Sequence, residues 1–195
     1  KGLKNMNEPL VSIIIATFDS EKTIRTALQS IEDQTFQEWE CLVIDGRSKD
    51  GTLDIVKDFS LHDNRFRYIS EPDNGIYDAF NKGWKNAKGE WVYYMGCDDK
   101  LLREGLKTLI DSATPEYAII SGHVKTLRKD GSMGVWKSVG FWGCHQGKIT
   151  RLSAIREMNG YNMNYKILAD LDFHTRLKNN DYKVLNVDAY IAVFD

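Results

Sequence analysis

The amino-acid sequence predicts an α/β fold in which a mostly parallel central sheet is flanked by helices. The segment "PLVSIIIATF", residues 9–18, is a β-branched run typical of strands that are buried on both faces. Strand-like and helix-like segments then alternate through residue 112, at about 20–25 residues per unit. The 195 residues, 42% of them hydrophobic and 28% charged, are enough for one domain with a sizeable core.

Each element of the first half is predicted by its own pattern. The first helix shows the spacing of a single apolar face, at Ile24, Ala27, Leu28 and Ile31. The second follows a turn at Asp50-Gly51, with Thr52 as its expected cap. The expected strands cover residues 9–18, 40–45, 66–70 and 90–96, and the expected helices cover residues 20–31, 53–59, 76–87 and 101–112.

The alternation of elements degrades after Pro115. A strand over 117–122 and a hairpin turning at Asp130-Gly131 are expected first. An irregular stretch rich in aromatic residues and glycine follows at 139–148, then helices near 153–158 and 169–179 and a final strand over 189–194. The simplest interpretation is one domain over residues 1–195. Its halves cover about 1–114, for binding a ligand at the strand ends, and 115–195; whether the native chain extends beyond residue 195 stays open.

Charge and cysteine content exclude several classes of protein. The net charge is −2 and the basic residues are scattered, so the electrostatic pattern of a nucleic-acid-binding protein is absent. The longest apolar run, residues 10–16, is too short to cross a bilayer. The three widely spaced cysteines favour a reducing compartment over a disulfide framework.

Polar residues follow three of the predicted strands. Thr17, Asp45 and the pair Asp98-Asp99 stand where a parallel sheet binds ligands, beyond the carboxyl ends of its strands. The acidic pair in "YYMGCDDK" has two interpretations. It caps a helix at Leu101, or it holds a divalent metal ion, and the two roles are compatible.

Four motifs resemble the family 2 glycosyltransferases, which are inverting enzymes with the GT-A fold. They are "ATFDSEKT" and "VIDGRSKDGT", then "SEPDNGIYDAFNKGWKNAKGEWVYYMGCDD", and finally "KILADLDFHTRL". They occur in the family's order between about residues 10 and 177. The stretch "HQGKITR" is similar to a segment of members that build bacterial surface polysaccharides.

The resemblance implies a reaction and its partners. A sugar would pass from a nucleotide-sugar, expected to be a UDP-sugar, to a glycan or lipid-linked sugar acceptor in cell-surface polysaccharide synthesis. Mn²⁺ or Mg²⁺ would neutralise the departing diphosphate. The expected location is the cytoplasm, with peripheral contact at the inner face of the cytoplasmic membrane. No nucleic-acid partner is expected, and the oligomeric state stays open.

The resemblance also assigns the donor side of the site. Asp99 is expected to bind the metal directly, while Asp98 contacts the donor ribose or the metal's water shell. Asp45 is expected to accept a hydrogen bond from the base, although Gly46-Arg47 departs from the usual Asp-Gly. The further residues expected to bind the nucleotide-sugar are Thr17, Phe18, Asp19, Glu21 and Asp78. The alternatives are core packing for Phe18, an ordinary first-turn acidic residue at Glu21 and a solvated helix charge at Asp78.

Asp170 is the expected catalytic base, which would remove the proton of the attacking hydroxyl. Asp172 is the alternative, and its i,i+4 pair with Arg176 is expected to be structural. Ala169 stands where the family has Glu, which puts acceptor recognition in doubt. His145 and Trp142 lie in a loop expected to fold over donor or acceptor, and simple loop or core roles remain alternatives.

Two other functions compete with the transferase. A sugar nucleotidyltransferase also places metal-binding Asp at a strand end, but "TFDSEK" lacks the Gly-rich basic loop of that class. A nucleotide-sugar-binding module without turnover is the second alternative, consistent with Ala169 and Arg47 at altered positions.

Overall fold

The computed structural model describes residues 8–128 and 130–194, which form nine strands in a single sheet. The strands are β1 (Val11–Thr17), β2 (Trp39–Asp45), β3 (Phe66–Ser70), β4 (Trp91–Gly96), β5 (Lys100–Leu101), β6 (Ile119–Leu127), β7 (Met133–Trp136), β8 (Lys148–Arg151) and β9 (Val184–Phe194). Their order across the sheet is β3-β2-β1-β4-β8-β6-β9-β5, and β7 pairs with β6.

Six α-helices accompany the sheet within the same residues. They are α1 (Ile24–Glu32), α2 (Thr52–His62), α3 (Ile76–Asn86), α4 (Gly105–Asp111), α5 (Leu152–Glu157) and α6 (Ala169–Asn179), with a 3₁₀ turn at His145–Gly147. In the described part of the chain, no helix is both long and apolar enough to pass through a bilayer.

The first half of the sheet is parallel, as its β-branched runs predict. Strands β3, β2, β1 and β4 run side by side in the same direction, and every residue of β1 and β2 is buried. Thr17 pairs with Asp45, and Ala16 pairs with Gly96. The carboxyl ends of three strands therefore meet at one edge.

The second half of the sheet is mixed. Strand β8 inserts antiparallel between β4 and β6, and β9 runs parallel to β6. The sequence did not predict β8 or β5, because both are very short and are defined by partners far along the chain. The hairpin of β6 and β7 and the bounds of α6 were predicted correctly.

The fourth helix is a correction to the sequence-based prediction. It begins at Gly105 rather than at residue 101, because Leu101 is buried in β5 against β9. Gly105 packs so closely on β9 that a methyl group there would lie 2.6 Å from the carbonyl oxygen of Ile191. The first helix also begins later than predicted, at Ile24, after a turn.

Two apolar clusters cover the two faces of the sheet. Ile13 and Ile15 belong to one cluster and Ile14 to the other, as expected when alternate side chains of a strand point to opposite faces. The first cluster includes side chains of α1, α2 and α4, and the second includes side chains of α3, α5 and α6. The strands and helices from both halves of the chain thus share one layered core.

Candidate functional site

Two loops at the carboxyl edge of the sheet are held together by hydrogen bonds. Asp19 Oδ1 accepts from the backbone N–H of Lys49 at 2.7 Å, and Glu21 Oε2 accepts from the N–H of Gly51 at 2.9 Å. Both Asp19 and Arg47 adopt left-handed backbone conformations, with φ of 46° and 65°. Such strain in non-glycine residues persists where the surrounding contacts impose it. The predicted binding residues Asp19 and Glu21 therefore brace the loop after β2.

The loop after β1 presents an aromatic ring to solvent. Phe18 is 56% exposed, although most aromatic side chains of its size are buried. Next to it, the Thr17 hydroxyl is buried and has no hydrogen-bond partner among the described residues. A buried polar atom without a partner is rare in folded proteins and is expected to bond to a ligand or water.

Asp45 lies at the centre of this edge and is fully buried. Its carboxylate accepts hydrogen bonds from the Ser70 hydroxyl at 2.6 Å and from the Ser48 hydroxyl at 2.5 Å. The backbone N–H of Ser48 also donates to it. These contacts fix the loop after β2 and engage both carboxylate oxygens. The contact with the base that the resemblance implies for Asp45 stays a prediction.

Asp73 is a carboxylate at the same edge that sequence reasoning missed. A methyl group on Gly46 would lie 2.8 Å from Asp73 Oδ2 and 3.3 Å from the Phe18 ring. Asp73 therefore faces the exposed ring across Gly46. In the sequence, Asp73 stands within the third of the four motifs, which carried no specific prediction for it.

Asp78, predicted to face the nucleoside, supports the loop that carries Asp73. Its carboxylate accepts from the backbone N–H of Asn74 at 2.9 Å. Lys82 lies 3.8 Å from the same carboxylate and 3.1 Å from Glu71. Asp78 is thus placed to position the loop before α3.

The two carboxylates after β4 have opposite environments. Asp99 is 1% exposed, and its Oδ2 accepts from the backbone N–H of Gly96 at 2.7 Å. Asp98 is exposed. Both carboxylates pack over Gly96, where a methyl group would lie 2.7 Å from Asp98 Oδ1 and 2.8 Å from Asp99 Oδ2. Solvent and ligands therefore reach Asp98 more readily, whereas the sequence ranked Asp99 first as the metal ligand.

Asp170 lies in the first turn of α6 and accepts a hydrogen bond from the Tyr77 hydroxyl at 3.1 Å. Leu168, the residue before the first residue of α6, adopts a left-handed conformation with φ of 65°. Asp172 points elsewhere, because Arg176 Nε donates to it at 2.8 Å. The predicted i,i+4 pair is confirmed, and it leaves Asp170 as the carboxylate facing Tyr77.

A cavity of about 530 Å³ opens in front of Asp170. Its walls come from the start of α3, the start of α6 and the loop between β7 and β8, which carries Trp142 and His145. Six large apolar side chains that line it are exposed, although exposed apolar residues are usually scattered singly. They are Ile76, Trp136, Val139, Trp142, Leu168 and Leu171.

Behind this cavity lies a cluster of aromatic rings with two histidines. His145 stacks on Phe80 at 5.5 Å between ring centroids, and its Nε2 lies 3.3 Å from the Tyr161 hydroxyl. Burial lowers the pKa of His145 to about 4, opposed by the charge of Asp170. His145 is therefore a neutral member of the cavity wall near the predicted base.

Cys144 lies in the wall of the cavity in front of the predicted base. Burial raises the pKa of the Cys144 thiol to about 11. The Tyr93 hydroxyl of β4 donates to the carbonyl oxygen of Gln146, which lines the same cavity. Cys97 Sγ also lies 3.0 Å from Ser20 Oγ, which joins the loop after β4 to the loop after β1. Strand β4 and the loop after it therefore connect the loop after β1 to the cavity wall.

The buried histidine of α6 makes stability depend on pH. Burial, with smaller effects from Lys148 and His145, holds the pKa of His174 well below its usual range. Between that value and about 6.5 the unfolded chain binds a proton that the folded protein does not, so stability falls as pH decreases. We expect a loss of about 2 kcal/mol between about pH 7 and pH 5, measured by urea unfolding.

A matched variant tests the assignment of this loss. His174→Gln removes the titrating group, so its free energy of unfolding is expected to change less over the same interval. His145, whose pKa burial lowers to about 4, is expected to add a loss similar to that of His174 over the same interval. If the free energy of unfolding of His174→Gln depended on pH as strongly as that of wild type, the pH dependence would come from other groups.

Comparison with known proteins identifies relatives. The family model "Glycosyl transferase family 2" matches residues 12–177. The chain is 31% identical over 191 residues to the "PGL/p-HBAD biosynthesis glycosyltransferase" of Mycobacterium bovis, covering 90% of this chain and 72% of that protein. It is 32% identical over 127 residues to the "GalNAc(5)-diNAcBac-PP-undecaprenol beta-1,3-glucosyltransferase" of Campylobacter jejuni, covering 64% and 41% of the two chains.

Solved structures share the fold. TarS of S. aureus, in complex with UDP, superimposes with a TM-score of 0.76 at 23% identity over 94% of this chain and 59% of that chain. The mannosyltransferase PcManGT of Pyrobaculum calidifontis, in complex with GDP-Man and Mn²⁺, superimposes with a TM-score of 0.72 at 19% identity. The match covers 96% of this chain and 57% of that chain. The chain spans less than two thirds of either structure. These matches confirm the GT-A fold, and the family model, which covers most of the sequence, establishes that the chain belongs to glycosyl transferase family 2.

Proposed function

We propose that this protein transfers a sugar from a UDP-sugar to an acceptor hydroxyl with inversion at the anomeric carbon. The observation that carries the proposal is the family 2 match over residues 12–177, which contains both the Asp98-Asp99 loop after β4 and Asp170 in the cavity wall. Residues before about 114 would bind the donor, and the base and most of the acceptor wall would come from residues after 115. The names of the relatives support a role in bacterial cell-surface polysaccharide or glycolipid synthesis. Peripheral contact with the membrane is part of the same proposal.

The reaction needs one displacement. The acceptor oxygen attacks the anomeric carbon, the bond from that carbon to the diphosphate oxygen breaks, and UDP leaves with the bonding electron pair. Asp170 accepts the proton of the attacking hydroxyl. The Tyr77 hydroxyl donates to Asp170 Oδ1 and orients the carboxylate, so that Oδ2 is available for the proton.

The carboxylates after β4 fit a Mn²⁺ or Mg²⁺ ion. Among residues 8–128 and 130–194, no cluster of three or more His, Cys, Asp or Glu could enclose a metal. These cations commonly take only one or two protein carboxylates, with phosphate and water as the other ligands. When bound, the ion would neutralise charge on the departing diphosphate. We propose exposed Asp98 as the direct ligand and buried Asp99 as the residue that shapes its loop.

The nucleoside would bind between the exposed Phe18 ring and the loop of Asp73. Burial of Asp45 between two serine hydroxyls leaves Asp73 as the carboxylate facing Phe18. A carboxylate there accepts the imide N–H of uracil, whereas cytosine has a ring acceptor at the same position. Thr17, with its unpartnered hydroxyl, would contact the same nucleoside.

This arrangement predicts nucleotide selectivity. UDP is expected to bind at least about tenfold more tightly than CDP, because a lost charge-assisted hydrogen bond costs about 1.5–3 kcal/mol. Asp73→Asn should reduce that preference, and Asp45→Asn should instead lower stability. Calorimetric titration of UDP and CDP in Mn²⁺ checks both. If wild type and Asp73→Asn preferred UDP over CDP equally, Asp73 would not contact the base.

The cavity in front of Asp170 suggests the chemical class of the acceptor. Its exposed lining is mostly aromatic and aliphatic, with few side chains that could hydrogen-bond several sugar hydroxyls. We infer an acceptor sugar joined to an apolar group, with Trp142 able to cover a sugar face. These apolar contacts would also supply the acceptor affinity that is in doubt because Ala169 replaces the family's Glu.

The deciding experiment follows UDP release from a panel of UDP-sugars in Mn²⁺, with and without acceptor glycosides. We expect release to increase with glycosides that carry an aromatic or alkyl aglycone more than with free sugars. Tight UDP-sugar binding without release for any acceptor would favour the binding module. Pyrophosphate formation from UTP and a sugar phosphate would favour the nucleotidyltransferase.

A further inference from the structure

Residues 139–142 form a tight turn in the cavity wall, which we call the wall turn. The Val139 N–H donates to the carbonyl oxygen of Trp142 at 2.7 Å, and the Trp142 N–H donates back to Val139 at 3.0 Å. Gly140 has φ of 56°, the conformation that glycine supplies at the first central position of such a connection. Val139 and Trp142 are both exposed and both line the cavity. The wall turn therefore presents apolar side chains to whatever enters the cavity.

A buried polar network on β6 holds the residue before the wall turn. The backbone N–H of Ser138 donates to His123 Nδ1 at 3.1 Å, and its hydroxyl forms a hydrogen bond with the Ser121 hydroxyl. All three residues are buried, and both partners of Ser138 belong to β6. Gly143, directly after the turn, packs on the same residue, because a methyl group there would lie 3.0 Å from Ser138 Cα. Both ends of the wall turn thus meet at Ser138.

The imidazole of His123 acts here as a hydrogen-bond acceptor. Because the Ser138 N–H occupies Nδ1, the ring proton lies on Nε2, which donates to Asp188 Oδ1 at 3.0 Å. The Asp188 side chain is fully exposed, so this outer contact contributes little free energy. His123 pairs with Tyr190 at a point where the register of β6 and β9 shifts on both sides. Irregular pairing of this kind re-aims a side chain, and here the ring reaches the residue before the wall turn.

We propose that His123 is a positioning residue, which holds the wall turn through the Ser138 N–H so that Trp142 meets the acceptor in a preformed orientation. The proposal rests on the acceptor role proposed for the cavity. A satisfied buried hydrogen bond adds little net stability, but it imposes one arrangement on the groups that it joins. A wall that is already ordered lowers the cost of binding. Loss of the acceptor atom at His123 therefore weakens acceptor binding and leaves donor binding intact.

Two variants with the same branching separate the acceptor atom from packing. His123→Asn places an oxygen as many bonds from the backbone as Nδ1, whereas His123→Leu places a methyl group there. Both variants lose the contact with Asp188, and Asp188→Ala loses that contact alone. Ser121→Ala removes the other side-chain partner of Ser138, which tests the network if His123→Leu does not fold. The ¹⁹F signal of 5-fluorotryptophan at Trp142, assigned by its loss in Trp142→Phe, reports on the turn, and UDP release with an octyl glycoside reports on acceptor use.

In His123→Leu, we expect the Trp142 signal to shift or broaden and the KM for the octyl glycoside to rise by about tenfold. The kcat at saturating acceptor and the Kd for UDP should each change by less than about twofold, because the base and the donor edge are untouched. His123→Asn should restore the signal and the KM toward wild type, and Asp188→Ala should match wild type. Ser121→Ala should change both in the direction of His123→Leu.

Three results would overturn the proposal. A wild-type Trp142 signal in His123→Leu, or in Ser121→Ala if only that variant folds, would show that the network does not hold the turn. A displaced signal with an unchanged KM would show that the turn does not meet the acceptor. If wild type releases no UDP, the transferase proposal fails separately. Octyl glycoside is then titrated against the Trp142 signal with UDP present, and equal affinity in wild type and His123→Leu, or no binding, would be the third result.

Discussion

Asp170→Asn is expected to lower kcat for acceptor-dependent UDP release by about 10³-fold, because a general base contributes about 10²–10⁴ to the rate. The amide has the size of the carboxylate and can still accept from the Tyr77 hydroxyl, but it cannot take a proton. The Kd for UDP, measured by calorimetry in Mn²⁺, should change by less than about twofold, since the substitution leaves the donor edge intact.

Asp172→Asn is the matched control, two residues further along α6. Its carboxylate is paired with Arg176, whose guanidinium also donates to the carbonyl oxygens of Met158 and Gly160. Loss of the ion pair should lower the free energy of unfolding by about 1 kcal/mol, and kcat should stay close to the wild-type value. If Asp172→Asn lost activity as severely as Asp170→Asn, the assignment of the base on α6 would be wrong.

Asp98→Ala is expected to lower kcat by about 10²-fold or more and to abolish the dependence of UDP binding on Mn²⁺. The exposed carboxylate makes no contact needed for folding, so the free energy of unfolding without ligand should stay within about 0.5 kcal/mol of wild type. Thermal shifts with UDP, with and without Mn²⁺, measure this coupling, because a ligand that binds the native state raises its stability.

Asp99→Ala should behave differently although the residue is adjacent. It removes the buried acceptor of the Gly96 N–H and is expected to cost about 1–3 kcal/mol of stability even without ligands. The difference between the Asp98→Ala and Asp99→Ala variants shows which carboxylate binds the metal directly. If Asp99→Ala folded with wild-type stability yet lost the Mn²⁺ dependence, while Asp98→Ala kept it, the original ranking with Asp99 as the direct ligand would be restored.

Local patterns in the sequence were sufficient for much of the fold. The β-branched run of β1 predicted a strand buried on both faces, and alternating elements predicted the parallel half of the sheet. The bounds of α6 were also predicted correctly. Burial pattern and helix periodicity are properties of neighbouring residues, so they can be read without knowledge of the rest of the chain.

Strand β8 and the start of α4 could not be predicted in that way. The residues of β8 form a strand because Ile149 pairs with both Tyr93 and Ile120, which lie far away in sequence. Leu101 leaves its helical pattern because its pairing with β9 buries it. In both cases, contacts between distant segments decided the local structure.

The sequence by itself determined that polar residues follow three adjacent parallel strands and that an acidic residue opens α6, because chain order fixes which residues end each element. Only the tertiary structure decided how exposed each of these carboxylates is. Asp45 is buried and accepts from Ser48 and Ser70. Asp99 is buried beside Gly96, whereas Asp98 is left exposed. The direction of a loop side chain, and the desolvation of a charge, depend on segments that meet only after folding.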